Sequence, residues 1–152
     1  MLLSDLLAPE RVVVPLRGAT KDEVIRELVA AALPGRPIAE MEEVVSALHA
    51  REALLSTGIG EGVAIPHAKT TVAGGLLLAA GTTSRPVDYD ALDGRPADLF
   101  FLLLGPESAA TDHVKALGRI SRVLRRPGLR DQLRQARDAD AFLRAIAESE
   151  SG

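Results

Sequence analysis

Two continuous apolar runs constrain the fold more than any other feature of this sequence. They cover Leu76 to Thr83 and Asp98 to Leu104, and turn-forming residues bound both of them. Neither run alternates apolar with polar residues, a pattern that is typical of strands covered on both faces. Both runs are far shorter than the roughly 20 apolar residues that a membrane-spanning helix needs. The sequence therefore predicts a buried sheet at the centre of the molecule and no direct membrane insertion.

Segments with strand and helix signals interleave around these two runs. Val12 to Val14 is a short β-branched run that ends at Pro15, and we expect a strand there. Thr20 to Glu23 forms a capping box that opens an apolar-periodic stretch. A second helix is predicted to end near Arg51. Because no internal repeat or linker interrupts this order, we expect one domain, residues 1–152, of the α/β class, with a central mixed β-sheet flanked by helices.

The last third of the chain is predicted to form three helices. Seven arginines crowd residues 119–137, where Asp131 is the one acidic residue. Without interleaved aromatic residues or a recognition motif, this basic stripe is more typical of a solvated helix face than of a nucleic-acid site. An acidic protein partner is the second interpretation of the stripe. In the first of these helices, the periodicity favours a buried face made of Val114, Leu117, Ile120, Ser121 and Leu124.

The overall composition excludes several classes of function. The chain has 18 Lys plus Arg and 21 Asp plus Glu, a net charge of -3, so its balance gives no sign of nucleic-acid binding. It contains no cysteine, which excludes disulfides, thiol nucleophiles and cysteine-ligated metals. We find none of the short motifs that mark serine hydrolases, P-loop nucleotide sites or zinc proteases. With no basic, apolar leader at the N-terminus, we expect a cytoplasmic protein.

His67 has the most unusual setting of the three histidines in the chain. It follows Pro66 directly, and proline both fixes its own φ and pushes Ile65 into an extended conformation. The imidazole therefore leaves a stiff piece of backbone, which suits a nucleophile. A histidine that follows proline in a loop is nevertheless more often structural or simply solvated. The pattern by itself supports only the hypothesis that His67 is a site of chemistry.

A glycine-rich loop precedes His67 and could hold an anion. Its glycines leave backbone N–H groups unobstructed, and two hydroxyl side chains lie among them. A phosphoryl group, which carries roughly −1.5 to −2 charges, could thus rest on the imidazole beside this loop. Glycine-rich turns are common, so the structural interpretation stays open as well. The candidate phosphate-binding residues are Ser56, Thr57, Gly58, Gly60 and Gly62.

Three segments of the chain resemble one known protein family, in the same order. Arg51-Glu52 and the run from Ser56 to Lys69 are similar to the signature of an enzyme IIA domain. This domain is of the fructose, mannitol and nitrogen-related type in the bacterial phosphoenolpyruvate-dependent phosphotransferase system. The segments Asp90 to Leu104 and His113 to Leu124 resemble the same family. The resemblance covers essentially the whole chain.

The resemblance implies a phosphocarrier with a phosphohistidine intermediate. The phosphorylated histidine of the family falls on His67, which would accept a phosphoryl group from the histidine-containing phosphocarrier protein and pass it to a cysteine of enzyme IIB. A second family histidine falls on His113 and a family arginine on Arg51, which would orient the imidazole and neutralise phosphate charge. Such a transfer between side chains requires no metal and no small cofactor.

Two different functions agree with this resemblance. Ala68 and the segment Asp90 to Pro96 favour the fructose-type branch, so we expect a role in sugar uptake. The alternative is a nitrogen-related regulatory enzyme IIA, which controls partner proteins through its phosphorylation state without transporting sugar. A third interpretation, a metal site made of His67 and His113, lacks a ligand-spacing pattern.

The surroundings of His67 give further expectations. We expect Glu61 to pair with Arg51, because an unpaired carboxylate in the loop would repel a phosphoryl group. We assign no role to His49, and we leave Lys69 outside the core site. Two partners must reach His67, so nearby apolar residues are predicted to form a transient docking surface. These residues are Leu55, Ile59 and Val63.

Overall fold

Six strands form one mixed sheet at the centre of the protein, which a computed structural model describes over residues 1–151. Their spatial order is β1-β5-β6-β3-β2, and β4 also pairs with β6. β6 runs antiparallel to β5 but parallel to β3 and β4, so the predicted mixed sheet is confirmed. The strands are β1 (Val12–Leu16), β2 (Gly58–Gly60), β3 (Val63–Ala64), β4 (His67–Lys69), β5 (Leu77–Val87) and β6 (Ala97–Gly105).

Helices cover both faces of this sheet. One face packs against α2 and α3, and the other packs against α1, α4, α5 and α6. Among the described residues, no helix is both long enough and apolar enough to cross a bilayer. The helices are α1 (Leu3–Leu6), α2 (Lys21–Ala32), α3 (Ile38–Leu54), α4 (Ala110–Val123), α5 (Leu129–Gln135) and α6 (Ala139–Ser151).

The apolar run of β6 supplies both halves of the core. Phe100 and Leu102 point to the side of α2 and α3, whereas Phe101 and Leu103 point to the side of α4 to α6. All four side chains are fully buried. Because successive residues of a strand face opposite sides, a strand covered twice needs an unbroken apolar run. Each such side chain contributes about 1.5–3 kcal/mol through burial, so this run anchors the whole domain.

Several element boundaries differ from the sequence-based expectation. β1 continues through Pro15 to Leu16, where its register with β5 shifts, and an irregular position of this kind does not need the N–H that proline lacks. α3 extends beyond Arg51 to Leu54, although the apolar periodicity stops earlier. β5 runs on to Val87, beyond the apolar run that ends at Thr83, and Val87 still pairs with Ala97 of β6. Pairing with neighbouring strands decided the ends of β1 and β5.

The buried face of α4 is rotated from the predicted one. His113, Ala116 and Ile120 lie buried, while Val114 is 68% exposed. The prediction for Val114 is wrong, because the side of the helix that contacts β6 begins one residue earlier. Residues that are one position apart differ by about 100° around a helix, so the correct phase places His113 against the sheet.

Three arginines of the C-terminal helices, Arg119, Arg130 and Arg134, have acidic partners from distant parts of the chain. Arg119 pairs with Glu150 at 2.8 Å and Arg134 with Asp98 at 2.9 Å. Within residues 119–137 the sequence offers only Asp131 as a negative charge. The positive charge of the basic stripe is therefore better compensated in the fold than the local sequence indicates. These pairs join α4 to α6 and α5 to β6 and thus serve the tertiary structure.

Candidate functional site

His67 stands at the start of β4, where the backbone on both sides of it is tied to β6. His67 lies opposite Leu103 in the parallel pairing, and the carbonyl of Pro66 accepts a hydrogen bond from the Leu103 N–H at 3.0 Å. Ile65 and Pro66 are buried and His67 is half-buried. The segment before His67 is thus a rigid mount at the edge of the core, and the ring itself stays reachable.

One hydrogen bond defines the tautomer of His67. Its Nδ1 lies 2.8 Å from the carbonyl oxygen of Ile65. A carbonyl oxygen can only accept, so Nδ1 carries the proton of the neutral ring and Nε2 holds the lone pair. Burial and the nearby charge of Arg51 lower the pKa of His67, against the opposing effects of the Ile65 hydrogen bond and the Glu52 charge. At neutral pH the imidazole is therefore uncharged, and Nε2 keeps a lone pair.

His113 lies beside His67 and is held more tightly. It sits in the first turns of α4 with only 3% of its surface exposed, and the centroids of the two imidazole rings are 5.8 Å apart. Its Nδ1 is buried without a hydrogen-bond partner. Burial, followed by the charges of His67 and Lys69, lowers its pKa. A neutral ring protonated on Nε2 leaves only a lone pair unpaired at Nδ1, and it keeps an N–H donor on Nε2.

Arg51 reaches the same place from the last turn of α3. Its Nη1 donates to the carbonyl oxygen of Leu55 at 2.7 Å, and it forms no salt bridge with any acidic residue in the described part of the chain. The predicted pairing of Glu61 with Arg51 is wrong, because Glu61 contacts Arg130 at 2.7 Å instead. The guanidinium charge is thus left uncompensated next to the two imidazoles.

The three predicted catalytic residues line one cavity of about 380 Å³. Two of its side chains are cationic, and no carboxylate belongs to its wall. Lys69, which we left outside the core site, belongs to this wall and contacts Glu107 at 3.5 Å. The cavity thus combines a neutral imidazole with positively charged side chains, an arrangement that suits a phosphoryl group. Its wall consists of Ala47, Arg51, His67, Ala68, Lys69, His113, Val114 and Leu117.

The glycine-rich loop does not line this cavity, so the structure does not bring the five predicted phosphate-binding residues together with His67. Three of its amides already have side-chain partners within the protein: the N–H of Thr57 bonds to Glu52, that of Gly58 to the Ser56 hydroxyl, and that of Glu61 to Asp93. None of the five candidate residues belongs to the cavity wall. The loop residues Ser56, Thr57, Gly58, Gly60 and Gly62 instead form β2 and its connections.

The predicted docking surface is only partly exposed. Leu55 and Ile59 are 56% and 50% exposed, whereas Val63 is buried in the core, opposite Leu99 of β6. The prediction for Val63 is wrong because β3 pairs with the central strand.

Among residues 1–151, no group of three or more His, Asp and Glu side chains is placed to hold a metal ion.

One functional candidate escaped sequence reasoning. Glu52 is a buried carboxylate that follows Val44 and Leu48 along the inner side of α3 at four-residue spacing. It contacts Lys21 at 2.8 Å and the hydroxyl of Tyr89 at 3.0 Å. A carboxylate in an otherwise apolar stripe of a predicted helix was the sequence signal that could have identified Glu52. Only the fold shows which groups surround it.

Comparison with known proteins gives the family. Residues 5–149 match the family described as "Phosphoenolpyruvate-dependent sugar phosphotransferase system, EIIA 2". The chain is 41% identical to a "Nitrogen regulatory protein" of Bradyrhizobium diazoefficiens, over 97% of this chain and 95% of that one. It is 36% identical to the "PTS system fructose-specific EIIABC component" of Bacillus subtilis, over 96% of this chain but 23% of that longer protein.

A solved structure extends the likeness to three dimensions. The nitrogen regulatory protein IIA-Ntr from Neisseria meningitidis superimposes with a TM-score of 0.85 at 29% identity, covering 95% of this chain and 98% of the other. The fold, the family match and the histidine site agree with one another. This chain therefore belongs to the type 2 enzyme IIA family of the phosphoenolpyruvate-dependent phosphotransferase system, whose members transfer a phosphoryl group by way of a histidine.

Proposed function

We propose that this protein is a regulatory enzyme IIA of the nitrogen-related type, phosphorylated on His67. The observation that carries the regulatory part is the 41% identity to a nitrogen regulatory protein along nearly the whole length of both chains. The fructose-specific relative is less similar, at 36% identity, and matches within a protein more than four times as long. Identity along the chain thus favours regulation over the sugar uptake that Ala68 and residues 90–96 suggested.

In the proposed transfer, Nε2 of His67 attacks the phosphorus of a phosphohistidine on the histidine-containing phosphocarrier protein. A P–N bond forms at Nε2 while the donor's P–N bond breaks, and the donor imidazole leaves with that electron pair. The His67 ring gains positive character, which the Ile65 carbonyl stabilises through the Nδ1–H hydrogen bond of 2.8 Å. The proton on Nδ1 stays in place throughout, so no separate general base is needed.

The cavity wall supplies the groups that stabilise the transferred phosphoryl group. Arg51 offers a planar fork of N–H donors with a permanent positive charge. His113, with its Nδ1 sealed in the core, offers the N–H of Nε2 as a neutral donor. Lys69 adds a second positive charge at the rim. These groups compensate the roughly −1.5 to −2 charges of a phosphoryl group at no cost of reorganisation.

The intact mass of the protein after incubation with phosphoenolpyruvate, enzyme I and the histidine-containing phosphocarrier protein tests the phosphorylation step. We expect the wild type to gain one acid-labile phosphoryl group and His67→Ala to gain none. His49→Ala is the matched control, because His49 pairs with Asp22 at 2.6 Å outside the cavity. A wild type that gains no mass from an active donor, or a His67→Ala variant that still gains it, would overturn the assignment.

Sugar uptake is the second candidate function, and the 36% identity to a fructose-specific protein favours it. The two functions differ in the fate of the phosphoryl group. We expect protein labelled on His67 to keep its label when mixed with a fructose-type enzyme IIB, while a fructose-type enzyme IIA domain passes its label to the IIB cysteine under the same conditions. Transfer from this protein at a comparable rate would establish the transport function instead.

A further inference from the structure

We propose that Glu52 is a positioning residue for His67, acting through Thr57 and Ile65. The inference rests on the proposed function, since it concerns the residue that carries the phosphoryl group. It goes beyond that function by assigning the reactive geometry of His67 to a buried carboxylate on another element. Glu52 lies outside the cavity wall and does not touch the reacting atoms.

Glu52 is the centre of a buried polar network. Its side chain is 4% exposed, and its carboxylate lies 2.8 Å from Nζ of Lys21. It accepts hydrogen bonds from the N–H of Thr57 at 3.1 Å and the hydroxyl of Tyr89 at 3.0 Å, and also from the hydroxyl of Thr57. Burial would raise the pKa of Glu52, but Lys21 and Thr57 together outweigh that effect and lower it. The carboxylate is therefore ionised and has a partner on every side.

The network continues by hydrogen bonds to the imidazole of His67. The carbonyl of Thr57 accepts from the N–H of Ile65 at 3.0 Å. The carbonyl of Ile65 in turn accepts from Nδ1 of His67 at 2.8 Å. Glu52 thus holds Thr57, Thr57 holds Ile65, and the Ile65 carbonyl sets the tautomer that leaves Nε2 free. Loss of the contact between Glu52 and Thr57 would therefore free the Ile65 carbonyl to move, and the tautomer of His67 depends on that carbonyl.

Glu52 also holds the turn of α3 that carries Arg51. It is the neighbour of Arg51 on the last turn of α3, and its contacts to Thr57 clamp that turn to the segment leading into β2. Its negative charge raises the pKa of His67, opposite to the effect of Arg51. The same carboxylate therefore acts on His67 through geometry and through charge.

Glu150 provides a matched control for a purely structural carboxylate. Its side chain is 1% exposed, and it accepts hydrogen bonds from the N–H groups of Leu3 and Ser4 and from Arg119. It resembles Glu52 in burial and in the number of its partners. None of these contacts leads to His67, so loss of Glu150 tests the effect of destabilisation alone.

The test compares Glu52→Gln with Glu150→Gln in the full-length, unphosphorylated protein, by following the ¹⁵N resonances of the His67 ring through a pH titration. In Glu52→Gln we expect a lower pKa of His67 and a larger share of the tautomer protonated on Nε2. We expect neither change in Glu150→Gln. The rate of phosphorylation by the phosphocarrier protein should fall on the order of ten- to a hundredfold in Glu52→Gln only.

Thr57 gives a second variant in case Glu52→Gln fails to fold. Thr57→Val removes the hydroxyl that bonds to Glu52 but keeps the backbone links, and Thr57→Ser restores the hydroxyl. We expect the tautomer shift in the valine variant and its reversal in the serine variant. Equal His67 titrations in wild type, Glu52→Gln and Thr57→Val would overturn the proposal. Because the titration needs no phosphoryl group, failure of His67 to be phosphorylated would be a separate result.

Discussion

His67 donates a hydrogen bond of 2.8 Å from Nδ1 to the carbonyl oxygen of Ile65, two residues earlier in the chain. This contact occupies Nδ1 and leaves the lone pair of the neutral ring on Nε2. We predict that the phosphoryl group forms its bond to Nε2. Two-dimensional ³¹P–¹⁵N correlation on ¹⁵N-histidine-labelled phosphoprotein identifies the bonded nitrogen, and a correlation to Nδ1 would contradict the prediction.

The buried histidines make stability depend on pH. Burial is the largest cause that lowers the pKa of both His67 and His113 in the folded state, while the unfolded value is about 6.5. Below pH 6.5 the unfolded chain therefore binds protons that the folded protein does not, and the free energy of unfolding falls as the pH falls. We expect urea denaturation to show this loss between pH 7 and pH 5. The pH dependence should be weaker in His67→Gln; an equal dependence in the variant would exclude His67 as a contributor.

Arg51 is predicted to contribute to phosphoryl transfer by geometry as well as by charge. A hydrogen bond to a charged group contributes about 1.5–3 kcal/mol, and each 1.4 kcal/mol corresponds to about a tenfold change in rate. We therefore expect Arg51→Ala to slow phosphorylation of His67 on the order of ten- to a hundredfold. Arg51→Lys should recover only part of the rate, because lysine lacks the planar fork. Rapid-quench kinetics gives both rates, with Arg36→Ala as a surface control that should match wild type.

Alanine substitutions at Gly62 and Gly94 distinguish the energetic cost of backbone strain from that of steric contact. Both have positive φ, +81° and +73°, which costs a residue with a Cβ about 1–2 kcal/mol. A Cβ on Gly94 meets nothing within 4 Å, whereas one on Gly62 would lie 2.6 Å from Nη2 of Arg134 and 2.9 Å from Oδ1 of Asp98. We expect Gly62→Ala to lower the free energy of unfolding more than Gly94→Ala does, as measured with urea. Equal losses would mean that the ion pair moves aside freely.

The exposed apolar residues Leu55 and Ile59 should affect the encounter with the donor, not stability. Leu55 and Ile59 are about half exposed and Val63 is buried. We predict that Leu55→Ala and Ile59→Ala slow phosphorylation at low donor concentration and leave the urea midpoint unchanged. Val63→Ala should instead lower the midpoint, because it leaves a cavity in the core. Unchanged rates in both surface variants would remove these residues from the docking surface.

The amino-acid sequence by itself determined the elements that rest on short-range patterns. The unbroken apolar run of β6 predicts a strand covered on both faces, and the capping box at Thr20 predicts the start of α2, where its hydroxyl accepts from the N–H of Glu23. The family resemblance also placed Arg51, His67 and His113 as site residues, and the fold brings all three to one cavity. Periodicity and capping act within a few residues, so the sequence contains them completely.

Only the tertiary structure decided which groups surround the predicted site residues. Glu61 pairs with Arg130, 69 residues away, and not with Arg51, while Glu52 meets Tyr89 across 37 residues. Three of the loop amides that looked free for a phosphate donate to carboxylates and a hydroxyl of the protein itself. Long-range pairing depends on how strands and helices pack, because a buried charge or amide takes whichever partner the fold brings within hydrogen-bond distance.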